Sequence, residues 1–211
     1  MLEAFAAGSG AKMAWTDGKL EPGAAVFYGV REPWVRLWEQ CKAEGRNWHF
    51  VDNSYFDVSR EKYFRITKNA IQHKGIGESD GKRFAKLGVE IKPMREGSDI
   101  VICTQSPEFM RVIAKDESWL DRAISKYSGH RLIVRSKADK RPLLDDLKNA
   151  ALLVTWSSAA AVTALLEGVE VVTGEQCCAH RVEDRRAWAE VLADNQWTLE
   201  EMAGGVCGMA G

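Results

Sequence analysis

The sequence places three groups of polar side chains where they could hold a phosphate. Ser157 and Ser158 lie between an uncharged apolar run and a segment of small residues that is typical of a helix. Arg135 and Lys137 close a second apolar run, and Gln105 closes a third. Guanidinium and ammonium groups form charge-assisted hydrogen bonds with phosphate oxygens. A serine at a helix start adds free N–H groups at the positive end of the helix dipole.

Each of these groups also has a structural alternative. The two serines could serve only as the N-cap of the helix that follows them. Arg135 and Lys137 could be ordinary charged residues at the end of a strand. Trp156, directly before Ser157, is the candidate for stacking on a base or a sugar.

A second candidate centre lies in the first third of the chain, where a strand pattern ends in "HFVDNSYF". Asp52 directly follows that strand and is our candidate for the general base of a transfer to a hydroxyl. Its alternative is a turn-forming pair with Asn53. Arg65, in "YFRITKNA", could hold a phosphate of donor or acceptor, or be a surface residue of a strand. His49 falls inside the strand pattern and is expected to be a packing residue.

The elements that carry these residues predict an α/β protein. In the first part, an apolar strand at 24–30 leads through Pro33 into an amphipathic helix, and a second strand follows at 47–51. A strand, a helix and a strand in so short a span predict a parallel pair with a right-handed crossover.

From Asp99 onward, near-continuous apolar strands alternate with helices. We expect strands at 99–106, 130–137, 151–156 and 169–174, and helices at 107–127, 141–150 and 157–167. This alternation predicts a parallel sheet covered on both faces, with ligands bound beyond the carboxyl ends of its strands. All three polar groups fall there. The segment 183–205 predicts one or two C-terminal helices, with Trp188, Val191 and Leu192 on one face.

The sequence predicts two Rossmann-like lobes. The first, residues 1–95, is reduced and would take the acceptor. The second, residues 96–211, would take the donor, and the boundary is expected between Ile91 and Asp99. Turn signals at Gly75, Gly77 and Gly81 predict a loop before that boundary.

Composition narrows the classes of protein. The 211 residues carry 29 basic and 30 acidic side chains, so net charge gives no general attraction to nucleic acid or to anionic membranes. Residues 57–95 have ten basic against five acidic side chains, a local excess of five positive charges. These side chains could bind a polyanion or a phosphorylated ligand, or they could simply lie on solvated helix faces. No apolar run could span a membrane and no leader is evident, so we expect a cytoplasmic protein.

The sequence also argues against a disulfide framework, a metal site and the common catalytic motifs. The five cysteines are odd in number and form no CxxC, which argues against a zinc ribbon or a disulfide framework: Cys41, Cys103, Cys177, Cys178 and Cys207. The histidines lack a metal-ligand rhythm, so no metal site is predicted. Dinucleotide, P-loop, HExxH and GxSxG motifs do not occur.

The stretch "NAALLVTWSSAAAVTALLEGVEVVT" resembles the donor-binding segment of GT-B-type glycosyltransferases, and 131–173 carries the likeness best. The segments "DNSYF", "YFRITKNA" and "QWTLEEM" are similar to glycosyltransferase-like proteins of tailed bacteriophages and prophages. We expect seven residues to hold a nucleotide-sugar donor, without a further cofactor: Gln105, Arg135, Lys137, Trp156, Ser157, Ser158 and Thr163.

Two positions depart from the pattern of that family. Thr163 stands where a glutamate commonly binds the donor ribose, and Glu170 replaces the usual proline of the last strand. The family implies transfer of a sugar to a hydroxyl acceptor, such as a modified base in DNA or a surface polysaccharide. A nucleotide-binding protein without catalysis and an epimerase-like enzyme remain alternatives. The sequence predicts no oligomeric state.

Overall fold

The computed structural model describes residues 1–10, 18–30, 34–56 and 63–205, so the predicted helix start at Pro33 and Cys207 lie outside the described residues. The helices are α1 (Leu2–Ser9), α2 (Trp34–Ala43), α3 (Lys82–Leu87), α4 (Pro107–Phe109), α5 (Trp119–Lys126), α6 (Leu143–Leu147), α7 (Ala160–Leu166), α8 (Arg185–Asp194) and α9 (Leu199–Ala203). The strands are β1 (Ala25–Tyr28), β2 (Trp48–Asn53), β3 (Phe64–Lys68), β4 (Asp99–Cys103), β5 (Leu132–Arg135), β6 (Ala150–Thr155), β7 (Glu170–Thr173) and β8 (Gln196–Trp197).

The chain forms two compact units, residues 1–71 with 192–211 and residues 72–191. This division differs from the boundary expected between Ile91 and Asp99. The C-terminal segment belongs to the first unit because β8 pairs with β3 and α9 packs on α1. The contact between these helices is so close that a Cβ on Gly8 would lie 1.7 Å from the carbonyl oxygen of Met202. Residues before β4 belong to the second unit, where the backbone N–H of Arg95 donates to the carbonyl of Gly168.

The first unit contains a mixed sheet in the order β1-β2-β3-β8. β1 and β2 are parallel around α2, as the strand–helix–strand pattern predicts. β3 and β8 run antiparallel to their neighbours, so this sheet is mixed rather than purely parallel. Its core is aromatic, with the Trp38 and Trp48 rings stacked at 5.6 Å between centroids and Phe27 and Phe50 at their edges. His49 is buried on the other face of this sheet, beside Phe5, and is a packing residue as expected.

The second unit contains a fully parallel sheet in the order β5-β4-β6-β7, which confirms the α/β class. Every residue of the central strand β4 is buried, as in parallel sheets covered on both faces. One face packs on α5, where Ile100, Ile102 and Val154 meet Ala123. The chain leaves β4 for β5 on one side and reaches β6 on the other. The order therefore reverses between β4 and β6, and in open α/β sheets ligands bind at such a point.

Three helices differ from their predicted extent. The helix expected over 141–150 is shorter, at Leu143–Leu147. The helix expected over 107–127 is interrupted by a π-helical turn at Met110–Ala114, after which Lys115 adopts a left-handed conformation with φ 52°. The helix expected from Ser157 begins only at Ala160. It starts later because the carbonyl of Ser157 accepts a hydrogen bond from Gln72 Nε2, at 3.0 Å, instead of opening a helical turn.

Candidate functional site

The three polar groups that follow β4, β5 and β6 lie at one edge of the second sheet. Cys103, the last residue of β4, is in register with Arg135 at the end of β5 and with Thr155 at the end of β6. Residues 104–106, 136–137 and 156–158 therefore leave the sheet from the same edge, as the parallel topology predicts. We call this edge, between β4 and β6, the switch-point edge.

A chain of side-chain hydrogen bonds spans the switch point itself. Gln105 Nε2 donates to the hydroxyl oxygen of Thr155 at 3.1 Å, and that hydroxyl donates to the carbonyl of Cys103 at 2.8 Å. Thr155 is completely buried, whereas Gln105 is half-buried. The contact fixes the orientation of the Gln105 carboxamide beside the opening between the two strands.

Two polar atoms at this edge are buried without a partner among the described residues. They are the hydroxyl of Ser157, a residue with 7% of its surface exposed, and the indole N–H of Trp156. An unpaired buried hydroxyl or N–H costs about 1–3 kcal/mol. Native structures contain few such groups, and those few call for an explanation such as an absent water, ion or ligand. Both atoms belong to residues that the sequence proposed for donor binding.

Gln72 belongs to this site, although no feature of the sequence points to it. It is 4% exposed and uses both ends of its carboxamide. Nε2 donates to the carbonyl of Ser157 at 3.0 Å, and Oε1 accepts from the backbone N–H of Cys178 at 2.7 Å. The carbonyl of Cys178 in turn accepts from the indole N–H of Trp188 at 2.8 Å. Gln72 thereby ties the loop after β6 to the loop after β7.

The indole of Trp156 is held between two neighbours. Gly174 lies against it so closely that a Cβ there would be 3.0 Å from the ring atoms Cδ2 and Cε2. On another side, the ring of Trp119 meets it edge-on, with centroids 6.4 Å apart. Trp119, the first residue of α5, is a second residue that the sequence did not select, since it shows only the spacing of a core position.

A cavity of about 160 Å³ lies at the carboxyl end of β4, beside Trp119. Its lining is mainly apolar, with polar groups on a few sides: Thr104, Gln105, Met110, Glu117, Trp119 and Leu120. Ligand pockets usually measure about 300–1,000 Å³, so this cavity has room for one ring of a larger ligand. The π-helical turn forms part of its wall through Met110. Such turns are frequent at functional sites.

Arg135 and Lys137 have different environments. Arg135 is mostly buried, forms an ion pair with Asp146 at 2.5 Å and donates to the carbonyl of Arg141 at 3.0 Å. Asp146 also binds the guanidinium of Arg141, at 2.7 Å. Lys137 is exposed in the turn after β5. One carboxylate thus serves two guanidinium groups, so the end of β5 keeps an excess of positive charge.

Ser158 and Thr163 belong to α7 and its entry. The hydroxyl of Ser158 accepts from the backbone N–H of Ala160 at 3.2 Å, a local bond before α7, whose N-cap is Ala159 without a side-chain cap. α7 has seven residues, and Thr163 lies within it, half-buried, rather than at its start. The roles of both residues in binding a donor stay predictions.

Asp52 and Arg65 lie in the first unit and are paired with each other. Asp52 Oδ2 accepts from Arg65 Nη2 at 2.7 Å across the β2–β3 register, and Oδ1 accepts from the N–H of Asn53 at 2.8 Å. Arg65 is buried and stacks over the ring of Tyr55 at 5.2 Å. The Asp52 side chain remains 28% exposed. The pair crosslinks two strands, and its catalytic role stays a prediction.

The cysteine at the switch-point edge is unsuited to nucleophilic chemistry. Burial raises the pKa of the Cys103 thiol to about 12, with smaller opposing effects of Arg135 and Asp146, so it is protonated at neutral pH. None of the four described cysteines forms a disulfide: Cys41, Cys103, Cys177 and Cys178. Among the described residues, no cluster of three His, Cys, Asp or Glu side chains could hold a metal ion. No helix in the described part of the chain is long and apolar enough to cross a membrane.

Comparison with known proteins gives a distant structural likeness. No protein-family model matches the sequence, and no curated protein matches it. Among solved structures, the chain resembles KpsC of Thermosulfurimonas dismutans, a beta Kdo 2,4 transferase, with 11% identity and a TM-score of 0.48. The likeness covers 81% of this chain and 78% of that chain. So distant a likeness does not establish a function, and the α/β class is established by the sheet topology described above. The resemblance to bacteriophage proteins stays a prediction.

Proposed function

We propose that this chain binds a nucleotide sugar at the switch-point edge and transfers its glycosyl group to a hydroxyl acceptor. The nature of the donor is suggested by the resemblance of residues 131–173 to the donor segment of GT-B-type glycosyltransferases. The observation that carries the proposal is the pair of unpartnered buried atoms on Trp156 and Ser157. The Ser157 hydroxyl would donate to a phosphate oxygen and the indole N–H to a ligand oxygen, so bound donor would satisfy both.

The charge at the end of β5 supports a negatively charged ligand. Between residues 135 and 146, four cations stand against three carboxylates: Arg135, Lys137, Lys140 and Arg141 against Asp139, Asp145 and Asp146. In glycosyl transfer, negative charge develops on the departing nucleotide phosphate, and fixed positive groups lower the energy of that transition state. Because Asp146 already holds Arg135, we assign the direct phosphate contact to Ser157 and the long-range attraction to the exposed Lys137.

The acceptor hydroxyl must lose a proton as the new bond forms. Asp52 is our candidate base because its carboxylate is partly exposed at the end of β2. Arg65 would hold that carboxylate in position through the bond across the two strands. A carboxylate held in position in this way can accept a proton in the transition state.

A nucleotide-binding protein without catalysis is the second candidate. The specific observation in its favour is that the two residues chosen for catalysis, Asp52 and Arg65, are already paired with each other. Arg135, chosen for donor binding, is likewise paired with Asp146. Such a protein would retain the donor site and lack turnover.

Turnover separates the two candidates. The full chain is first screened by thermal shift against a panel of nucleotide sugars, and any donor that binds is incubated with hydroxyl acceptors. Transfer predicts free nucleotide released only when acceptor is present. Asp52→Asn should abolish release while leaving donor affinity unchanged, whereas Asp121→Asn, an exposed aspartate on α5, should leave both unchanged.

Three outcomes would count against the proposal in different ways. Full activity of the Asp52→Asn variant would remove Asp52 as the base. Donor binding without turnover for any acceptor would favour the nucleotide-binding protein. A panel in which no nucleotide sugar binds would contradict both.

A further inference from the structure

We infer that the carboxyl end of β2 holds a subsite for a neutral carbohydrate, formed by Gln196, Ser54 and the Asp52–Arg65 pair. This inference rests on the proposed function, since it names the class of acceptor that the chain would glycosylate. It chooses the polysaccharide over DNA as the acceptor. All of the residues that carry it belong to the first unit.

The first observation is the orientation of the Gln196 carboxamide. Gln196 is completely buried, and its Oε1 accepts from the backbone N–H groups of Tyr55 at 3.0 Å and Phe56 at 3.3 Å. Two N–H donors fix which end of the amide is oxygen, because the flipped amide would set donors against donors. The Nε2 amine therefore points elsewhere, and it has no partner among the described residues.

The second observation is a hydroxyl in the same turn. Ser54 precedes Tyr55 directly, is 6% exposed, and has a buried Oγ without a partner. Gln196 is also the cross-strand neighbour of Arg65, which in turn pairs with Asp52. Two residues with an unsatisfied buried group and one ion pair thus lie close together around the end of β2. Each unsatisfied group is costly to bury, and a ligand that supplies oxygen atoms would remove both costs.

Charge decides the class of ligand. The Arg65 guanidinium is compensated by the Asp52 carboxylate, at 2.7 Å, so this pair has no net charge. A DNA phosphate would gain no charge-assisted contact from a compensated guanidinium and would approach the partly exposed carboxylate. Phosphate contacts provide most of the affinity of proteins for DNA. A sugar hydroxyl fits better, since it accepts from Gln196 Nε2 or from the Ser54 hydroxyl and donates its own proton to Asp52.

The test uses the full chain without donor, and compares short neutral oligosaccharides with duplex DNA that carries 5-hydroxymethylcytosine. Binding is measured by saturation-transfer NMR and calorimetry. Ser54→Ala removes a hydroxyl that has no partner in the fold, so the melting temperature should stay the same or rise. Affinity for the oligosaccharide should fall about fivefold to tenfold, as expected for one lost hydrogen bond. Ser9→Ala, a serine of α1 whose hydroxyl donates within its own helix, should change neither quantity.

Each outcome decides the assignment. Oligosaccharide binding that weakens in Ser54→Ala and persists in Ser9→Ala supports it. DNA binding without carbohydrate binding, carbohydrate affinity unaffected by Ser54→Ala, or no carbohydrate binding at all would overturn it. The donor screen runs on the same samples. If a nucleotide sugar binds and no oligosaccharide does, only the subsite fails; if oligosaccharides bind and no nucleotide sugar does, the proposed function fails and the subsite stands.

Discussion

Replacing Ser157 with alanine separates a ligand-binding role from a structural role. The substitution removes one oxygen that is buried and unpartnered, and it leaves the backbone carbonyl of Ser157 bound to Gln72. A hydroxyl that only supported the fold would have a partner inside the protein, and its loss would destabilise the chain. A buried hydroxyl whose only partner is a ligand should instead destabilise the free protein, so its removal should raise the stability of the free protein.

The magnitude follows from this environment. An unpaired buried hydroxyl destabilises the folded protein by about 1–3 kcal/mol. Removing it also leaves a void the size of one oxygen atom, which reduces the gain in stability by roughly a few tenths of a kcal/mol. We therefore expect Ser157→Ala to stabilise the free protein by about 1 kcal/mol, a rise in melting temperature of roughly 2–4 °C. Loss of a hydrogen bond to a phosphate oxygen, about 1.5 kcal/mol, should weaken nucleotide-sugar binding about tenfold.

The assay combines calorimetric melting of the free protein with titration of the donor that binds best in the thermal-shift screen. Ser128→Ala serves as the control, because Ser128 is exposed and its hydroxyl donates to Ser125 within the same turn. A lower melting temperature with unchanged donor affinity would refute the reasoning, since it would show that the Ser157 hydroxyl has a structural partner and no contact with ligand.

Three further predictions concern the surroundings of Ser157 and Trp156. Gln72→Met leaves a buried carbonyl and a buried N–H unpaired, so the free energy of unfolding measured in urea should fall by at least about 2 kcal/mol. A fall below about 0.5 kcal/mol would contradict the proposed link through Gln72 between the loops after β6 and β7. Gly174→Ala should displace the Trp156 indole, and this should shift the tryptophan fluorescence and weaken donor binding. Gly129→Ala is the matched control, because a Cβ there would meet open space. Equal effects of the two substitutions would count against the role of Trp156. Burial lowers the pKa of His73, whose Nδ1 accepts from the N–H of Gly75, so the unfolded chain takes up the proton first. Stability should be constant above pH 6.5 and fall below it, by at most about 1.4 kcal/mol per pH unit for this histidine, and a His73→Gln variant with an unchanged profile would contradict the assignment.

The second sheet could be predicted from the sequence because its signals are local. Apolar strands such as Asp99–Cys103 and Ala150–Thr155 are buried on both faces, so they show as continuous runs in the sequence. Their parallel order then fixes which ends meet, and this is enough to bring Gln105, Trp156 and Ser157 to one edge. The parallel pair of β1 and β2 was predictable for the same reason.

What escaped the sequence depends on contacts between distant segments. The antiparallel strand β8 consists of two residues, Gln196 and Trp197, and no pattern of that length identifies a strand or its partner. Gln72 and Gln196 act through carboxamides whose partners lie 85 and 141 residues away. The ion pair of Arg135 with Asp146 likewise becomes visible only when α6 packs below β5. A glutamine between turn signals gives no hint of such partners.

The indole N–H resonance of Trp156 tests the central claim most directly. It can be assigned in a two-dimensional NMR spectrum of the full chain by comparison with Trp156→Phe, and then followed during titration with a nucleotide sugar. We predict that it shifts saturably, together with the backbone amide of Ser157, because ligand oxygens become the missing partners of both groups. Resonances at Trp156 and Ser157 that stay fixed while donor binds elsewhere, or a donor panel that moves no resonance at all, would contradict the account.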